Sequence, residues 1–112
     1  MLIIWGSPGR GKMKPQRSEI TSRLVRFLDL DADGLRRFVL QSILASREFT
    51  VASLYEVVSQ RFNVSQKVVA SMIGYICSRL GILHMIKKSY RSPRMYMLKE
   101  EYADLARLVL SI

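Results

Sequence analysis

Apolar residues recur every three or four positions through most of the chain, which is the spacing of one face of a helix. The pattern begins at Ser18, after a start rich in Gly and Pro, and it predicts four helices before Gly81. Their expected bounds are 18–29, 35–46, 51–62 and 65–80. The N-caps expected for the last three are Asp31 or Asp33, Thr50 and Ser65.

After Gly81 the pattern changes from helical to extended. Residues 82–86 and 95–98 predict two strands of a β-hairpin, and the turn between them, 87–93, is basic. Glu100 and Glu101 then place negative charge at the start of a fifth helix, where the helix dipole favours it. The apolar positions of that helix also have the spacing of a helix-pairing seam, namely Tyr102, Leu105, Val109 and Ile112.

The order of these elements predicts the fold class. Helices 51–62 and 65–80 are separated by only a short turn, and two helices joined so closely form a helix-turn-helix. We therefore predict a mainly α protein with a small β-hairpin: a winged helix-turn-helix domain over 17–112, with an extra N-terminal helix and a C-terminal helix. Residues 1–16 are expected to form a flexible basic arm. Met13 leaves open a biological start there, with the first twelve residues arising from an upstream reading of the gene.

Length and composition agree with one folded domain. The 112 residues are 49% hydrophobic and 24% charged, and no apolar run reaches the roughly 18 residues that span a bilayer. The single cysteine, Cys77, and the single histidine, His84, cannot supply the ligands of a zinc site or form an internal disulfide. We expect a cytoplasmic protein without a metal, a cofactor or a membrane segment.

The charge distribution favours a polyanionic partner. The chain has 18 Lys and Arg against 9 Asp and Glu, for a net charge of +9. No acidic residue occurs between Glu56 and Glu100, where eight basic residues lie: Arg61, Lys67, Arg79, Lys87, Lys88, Arg91, Arg94 and Lys99. The phosphate backbone of a duplex would be attracted to this half of the chain.

The fourth predicted helix has a small, polar face opposite its apolar stripe. That face carries Lys67, Ala70, Ser71, Gly74 and Ser78, with Gln66 and Tyr75 on its flanks. A glycine inside a helix costs up to about 1 kcal/mol relative to alanine, so Gly74 indicates close approach, either of a partner or of another part of the protein. The alternative for Gln66, Lys67 and Ser71 is an ordinary solvated helix surface.

The hairpin turn has the composition of a wing that contacts phosphates or the minor groove, because basic side chains surround Ser92 and Pro93. The predicted DNA-binding residues are therefore Gln66, Lys67, Ser71, Gly74, Tyr75 and Ser78 in the helix and Lys87, Lys88, Tyr90, Arg91 and Arg94 in the wing.

Three stretches resemble an uncharacterised family of small archaeal winged-helix proteins, a domain of unknown function found largely in methanogens. They are DLDADGLRRFVL at 29–40, SRLGIL at 78–83 and YMLKEEYADL at 96–105. More loosely, FTVASLYEVV at 49–58 with the helix after it is similar to the DNA-binding half of metal-dependent repressors. The His, Cys and Glu metal sites of those repressors have no counterpart here. The resemblance implies the fold and no catalytic activity.

These observations predict a non-enzymatic, sequence-specific protein that binds double-stranded DNA and regulates transcription. Helix 65–80 would enter the major groove, and the wing at 87–94 would lie on the backbone. The alternative is a winged-helix module that contacts protein or RNA in a transcription, replication or RNA-processing assembly. A homodimer through the first and last helices is left open, because both have apolar faces. No small-molecule substrate is evident.

Nucleotide hydrolysis ranks third. Gly6, Gly11 and Lys12 satisfy the GxxxxGK spacing of a phosphate-binding loop. Met13 stands where such a loop has Ser or Thr for magnesium, and Pro15 interrupts the helix that should follow. The rest of the chain also lacks the alternating strands and helices of that fold.

Overall fold

The computed structural model describes residues 15–86 and 90–112. This part of the chain is mainly helical, with one small antiparallel sheet. The predicted helices and hairpin strands are confirmed. In chain order the elements are α1 (Arg17–Asp29), α2 (Leu35–Ser46), β1 (Glu48–Phe49), α3 (Val51–Ser59), α4 (Gln66–Tyr75), a wider helical turn (Ile76–Leu80), β2 (Leu83–Ile86), β3 (Met95–Leu98), a 3-10 turn (Glu100–Tyr102) and α5 (Ala103–Leu110).

Some sequence predictions fall on residues 1–14 and 87–89, which lie outside the described residues. They are the basic arm up to residue 14, the GxxxxGK stretch, and the wing lysines Lys87 and Lys88.

Two aspartates cap α2. The carboxylate of Asp31 accepts hydrogen bonds from the backbone N–H groups of Arg36 and Arg37 at 3.0 and 3.1 Å. The carboxylate of Asp33 accepts from the N–H of Leu35 at 3.1 Å. Gly34 itself occupies the N-cap position, so the prediction of Asp31 or Asp33 there is wrong, but both carboxylates satisfy N–H groups that the first turn of a helix leaves unpaired.

Side-chain hydroxyls fix the starts of α3 and α4. Thr50 accepts from the N–H of Ser53 at 3.0 Å, and Ser53 accepts from the N–H of Thr50 at 2.9 Å, which makes a reciprocal capping box. Ser65 accepts from the N–H of Val68 at 3.2 Å and begins α4. The two predicted caps are confirmed, but α3 ends at Ser59, three residues before its predicted end, so residues 60–65 connect it to α4.

Replacing Thr50 by alanine should lower the free energy of unfolding by about 1 kcal/mol, because the N–H of Ser53 loses its acceptor. Urea denaturation followed by circular dichroism measures the change. Thr21→Ala is the matched control, since its hydroxyl only donates to the carbonyl of Arg17 within α1. Equal stability of T50A and T21A would contradict the capping role.

The hydrophobic pattern does not predict β1, which adds a third strand to the hairpin. Glu48 lies opposite Met97, and Phe49 lies opposite Tyr96, so the sheet order is β1, β3, β2. The rings of Phe49 and Tyr96 stack with centroids 5.7 Å apart. A strand of two residues is too short to show an alternating pattern, which explains why sequence reasoning missed it.

The terminal helices pack against each other. α5 contacts α1 and α2, and Arg17 at the start of α1 forms an ion pair with Asp104. The predicted pairing seam of α5 is largely covered by these contacts, because Tyr102, Leu105 and Val109 are buried. The apolar face of α1 is buried as well. These contacts cover most of the apolar surface on which the homodimer prediction rested, while Ile112, the last position of the seam, is exposed. The homodimer stays a prediction.

Candidate nucleic-acid interface

The inner side of α4 anchors it to the core. Val69 and Ile73 in α4 and Ile76 and Leu80 in the following turn are buried. The chain then reverses at Gly81, whose φ of 75° lies in the left-handed region that glycine adopts without strain. Val68, which the helical period placed on the inner stripe, is exposed, and it lines a groove described below.

The opposite face of α4 is not covered by other described residues. Gln66, Lys67, Ser71, Tyr75 and Ser78 are exposed, and Gly74 is half-buried. All six residues proposed from the sequence for this helix thus lie on or beside one accessible face, with Tyr75 at its edge. Lys67 and Arg79 provide positive charge near its two ends.

Gly74 lies in open space. A Cβ atom added at this residue would meet no atom within 4 Å among the described residues outside its own helical segment. Packing of Gly74 against another described part of the protein, one of the two explanations considered above, is therefore wrong. Close approach by a partner stays a prediction.

One groove runs beside the N-terminal half of α4. It has a volume of about 460 Å³ and is lined on the α4 side by Lys67, Ser71 and Tyr75 and on the other side by Phe27 of α1 and Arg36 of α2. Ser65, Val68 and Met72 line it as well, so the groove combines two cationic side chains, two serine hydroxyls, two aromatic rings and two aliphatic side chains.

A second groove of about 340 Å³ adjoins the first at Tyr75, which lines both. Arg23 and Arg26 of α1 lie on one side of it and Arg79 on the other, with Glu19 at its edge. We call the two grooves together the basic trough; its cationic residues are Arg23, Arg26, Arg36, Lys67 and Arg79.

Tyr75 joins the two grooves, and its ring contacts Phe27 in the first of them. Their rings stack at an interplanar angle of 20° with centroids 6.0 Å apart, and the ring of Tyr75 remains accessible, with 42% of the residue exposed. The guanidinium carbon of Arg36 lies 4.7 Å from the Phe27 ring centroid, and Arg36 also donates to the Phe27 carbonyl at 3.3 Å. Phe27 therefore positions both an aromatic and a cationic side chain of the trough.

Sequence reasoning did not assign Arg23, Arg26 or Arg36 to the interface. It searched the acid-free segment between Glu56 and Glu100, whereas these arginines come from α1 and α2. The available signal was the spacing of Arg23 and Arg26, three residues apart and therefore on one side of a helix. That spacing does not reveal which element faces them.

Part of the positive charge in the trough is not compensated by ion pairs among the described residues. Within residues 15–86 and 90–112 three ion pairs form: Arg17–Asp104, Arg23–Glu19 at 2.8 Å and Arg47–Glu100. None of the three involves Arg26, Lys67 or Arg79. These side chains can therefore pair with the anionic groups of a ligand without breaking an ion pair inside the protein.

The hairpin turn presents the other predicted contacts. Tyr90, Arg91 and Arg94 are exposed, while Ser92 is half-buried. β2 and β3 pair in register from Leu83 opposite Leu98 to Ile86 opposite Met95. The turn therefore lies at the end of the hairpin where Ile86 pairs with Met95.

Cys77 and His84 have structural positions. The sulfur of Cys77 is 3.8 Å from the Leu83 carbonyl oxygen, and His84 is exposed on β2 opposite Met97. No group of three or more His, Cys, Asp or Glu side chains that could hold a metal ion occurs in the part of the chain that the structure describes. The helices of that part are also too short or too polar to cross a membrane.

Comparison with known proteins places the chain in a family. A family model described as a protein of unknown function, DUF2551, matches residues 24–106, a segment that includes α4, the trough arginines except Arg23, and the hairpin. The chain belongs to this family. A relative from Archaeoglobus fulgidus, described as an uncharacterized protein, is 39% identical over 93 residues, which are 82% of this chain and 93% of the relative. No solved structure matches the chain.

Membership in this family confirms the expected resemblance to a domain of unknown function, and the relative confirms that archaeal proteins share the sequence. The winged-helix architecture and the methanogen distribution stay predictions.

Proposed function

We propose that this protein binds double-stranded DNA and regulates transcription without catalytic activity. The observation that carries the proposal is the accessible, small and polar face of α4, which has a glycine in open space at its centre. A helix with such a face can enter the major groove more closely than one covered by long side chains.

The element order supports a winged helix-turn-helix architecture. Helix α2 is followed by the short strand β1, then by α3 and α4, and then by the hairpin strands β2 and β3, with β1 paired to β3. In a winged helix the second helix of the helix-turn-helix is the recognition helix, and the hairpin is the wing. This assigns recognition to α4, with α1 and α5 as additions to the domain.

Different side chains would have different tasks on DNA. Gln66, Lys67 and Ser71 lie in the first two turns of α4, where recognition helices contact base edges or nearby phosphates. Arg91 and Arg94 would bind phosphates from the hairpin turn, and Tyr90 would extend that contact. Affinity would then come mainly from the basic residues and specificity from α4.

The proposal predicts a steep salt dependence of duplex binding. If six basic groups contact phosphate, log K should fall with log salt at a slope of about −5, because counterions are released at each contact. Fluorescence anisotropy with a labelled mixed-sequence duplex measures this slope. Arg91→Gln with Arg94→Gln should reduce it by about 2 units for all sequences.

Arg107→Gln is the control, because Arg107 is an exposed arginine on α5 that lines neither groove of the trough. A slope shallower than about −2 would contradict duplex DNA as the partner. Selection from a pool of random duplexes should converge on one motif. Failure to converge would contradict sequence-specific regulation, and preference for RNA would favour the interaction-module alternative.

A further inference from the structure

We infer that α1 is part of the DNA interface: Arg23 and Arg26 of α1 and Arg79, which follows α4, line the two sides of a phosphate-binding groove along one flank of α4, opposite the flank that faces the hairpin. This inference rests on the proposed function and assigns residues to it that the helix-turn-helix and the hairpin do not supply. It makes the protein a two-sided clamp on duplex DNA.

One ridge of α4 lines the basic trough. Lys67, Ser71 and Tyr75 are spaced four residues apart, so they follow one another along the same side of α4. Arg79, in the wider turn after α4, lines the same groove as Tyr75. Across the trough lie Arg36 and then the α1 arginines. A phosphate backbone that ran along this side of α4 would therefore pass between cationic side chains at both ends of the ridge.

The hairpin lies on the other flank of α4. Cys77 contacts the carbonyl of Leu83 in β2, whereas Tyr75, two residues earlier, lines both grooves of the trough. Two residues turn a helix by about 200°, so these side chains point to nearly opposite flanks. The trough and the base of the hairpin consequently lie on either side of the exposed face of α4.

Two-sided contact suits duplex DNA in particular. The major groove is about 12 Å wide, and an α-helix with its side chains is about 10–12 Å across. A helix inserted in that groove therefore has a phosphate backbone near each flank. A single strand has one backbone and would engage only one of the two flanks.

The arginine side chains of the trough are available to bind phosphate. Among the described residues, Arg26 and Arg79 form no ion pair and are exposed. Arg23 pairs with Glu19, and one of its guanidinium nitrogens lies 3.7 Å from the place of a Cβ atom at Gly81. Arg23 is thereby held across the end of the α4 segment, and Glu19, the acidic residue that lines the trough, is already neutralised.

The test uses two double variants, one with Arg26→Gln and Arg79→Gln and one with Arg91→Gln and Arg94→Gln. Arg107→Gln is the control. In the anisotropy titration of the full chain, the Arg26/Arg79 double variant should lose about tenfold in duplex affinity per arginine and reduce the salt slope by about 2 units. Arg26→Gln alone, which changes only α1, should give about half of the slope change and a tenfold loss. Ethylation-interference footprints should lose phosphate contacts on one DNA strand for the Arg26/Arg79 double variant and on the other strand for the Arg91/Arg94 double variant.

A second comparison guards against an effect of the arginine substitutions on folding. Ser22 is exposed in α1 and lines the trough, so Ser22→Glu places a carboxylate there, and Ser22→Gln is its uncharged match. S22E should bind about tenfold more weakly than S22Q with the same melting temperature.

The outcomes separate the inference from the proposed function. If the unmodified protein binds duplex DNA with a steep salt slope and both the arginine pair and S22E bind equally well, the role of α1 is overturned and DNA binding stands. If the unmodified protein shows no salt-dependent duplex binding, the proposed function itself fails, and the inference fails with it.

Discussion

A Gly74→Gln protein should remain at least as stable as the natural sequence and yet lose about a hundredfold in affinity for its DNA site. The stability gain, up to about 1 kcal/mol, follows because glutamine favours the helical conformation over glycine and Gly74 has open space around it. The affinity loss, close to 3 kcal/mol, follows because a long side chain would separate α4 from the base edges.

Anisotropy with a selected duplex measures the affinity, and urea denaturation measures the stability. Gly74→Ala should give an intermediate affinity with a similar gain in stability. Ala45→Gln is the control, since Ala45 is exposed on α2 and lies outside the trough. If G74Q bound DNA as tightly as the natural sequence, α4 would not lie in a groove; if it were destabilised, Gly74 would have a structural role.

Local signals in the sequence were sufficient to predict most of the helices and strands of the fold. The helix starts follow from short-range chemistry. The hydrogen bonds that Thr50 accepts from Ser53 and that Ser65 accepts from Val68 illustrate this. A cap and the helix it starts are adjacent in the chain, so both can be read together. The same is true of the outward face of α4, which depends only on the helical period.

Features that join distant parts of the chain could not be predicted in this way. β1 forms because Phe49 meets Tyr96, a partner 47 positions later in the sequence. The trough forms because Phe27 of α1 stacks on Tyr75 of α4. In both cases neither partner alone shows which residue it meets, because the pairing depends on how distant elements pack.

The same limit explains the dimer hypothesis. The spacing of Tyr102, Leu105 and Val109 correctly indicated an apolar face on the last helix. It did not indicate whether that face packs within the chain or against a second copy, because both arrangements bury the same side chains. The contacts of α5 with α1 and α2 show that Tyr102, Leu105 and Val109 pack within the chain.

Phe27 connects the core to the trough, and its replacement by alanine should cause the largest loss of stability. The side chain is buried, with 1% exposed, so removing the ring should cost about 3–5 kcal/mol in burial and cavity terms. That loss is a large share of the 5–15 kcal/mol that is typical of a domain. Urea denaturation of the two proteins measures it, and a loss below about 1 kcal/mol would contradict the central position of Phe27.

Phe27→Leu separates the two roles of this residue. Leucine keeps most of the buried volume, so F27L should stay folded, with a loss of about 1–2 kcal/mol. It removes the ring on which Tyr75 stacks and over which Arg36 lies, so duplex affinity should fall although neither side chain has been changed. Ile73→Leu is the control, because Ile73 is buried on the inner side of α4, away from the trough. F27L and I73L proteins of equal stability and equal duplex affinity would show that Phe27 supports the core alone, whereas weaker binding by F27L would show that it also positions the trough.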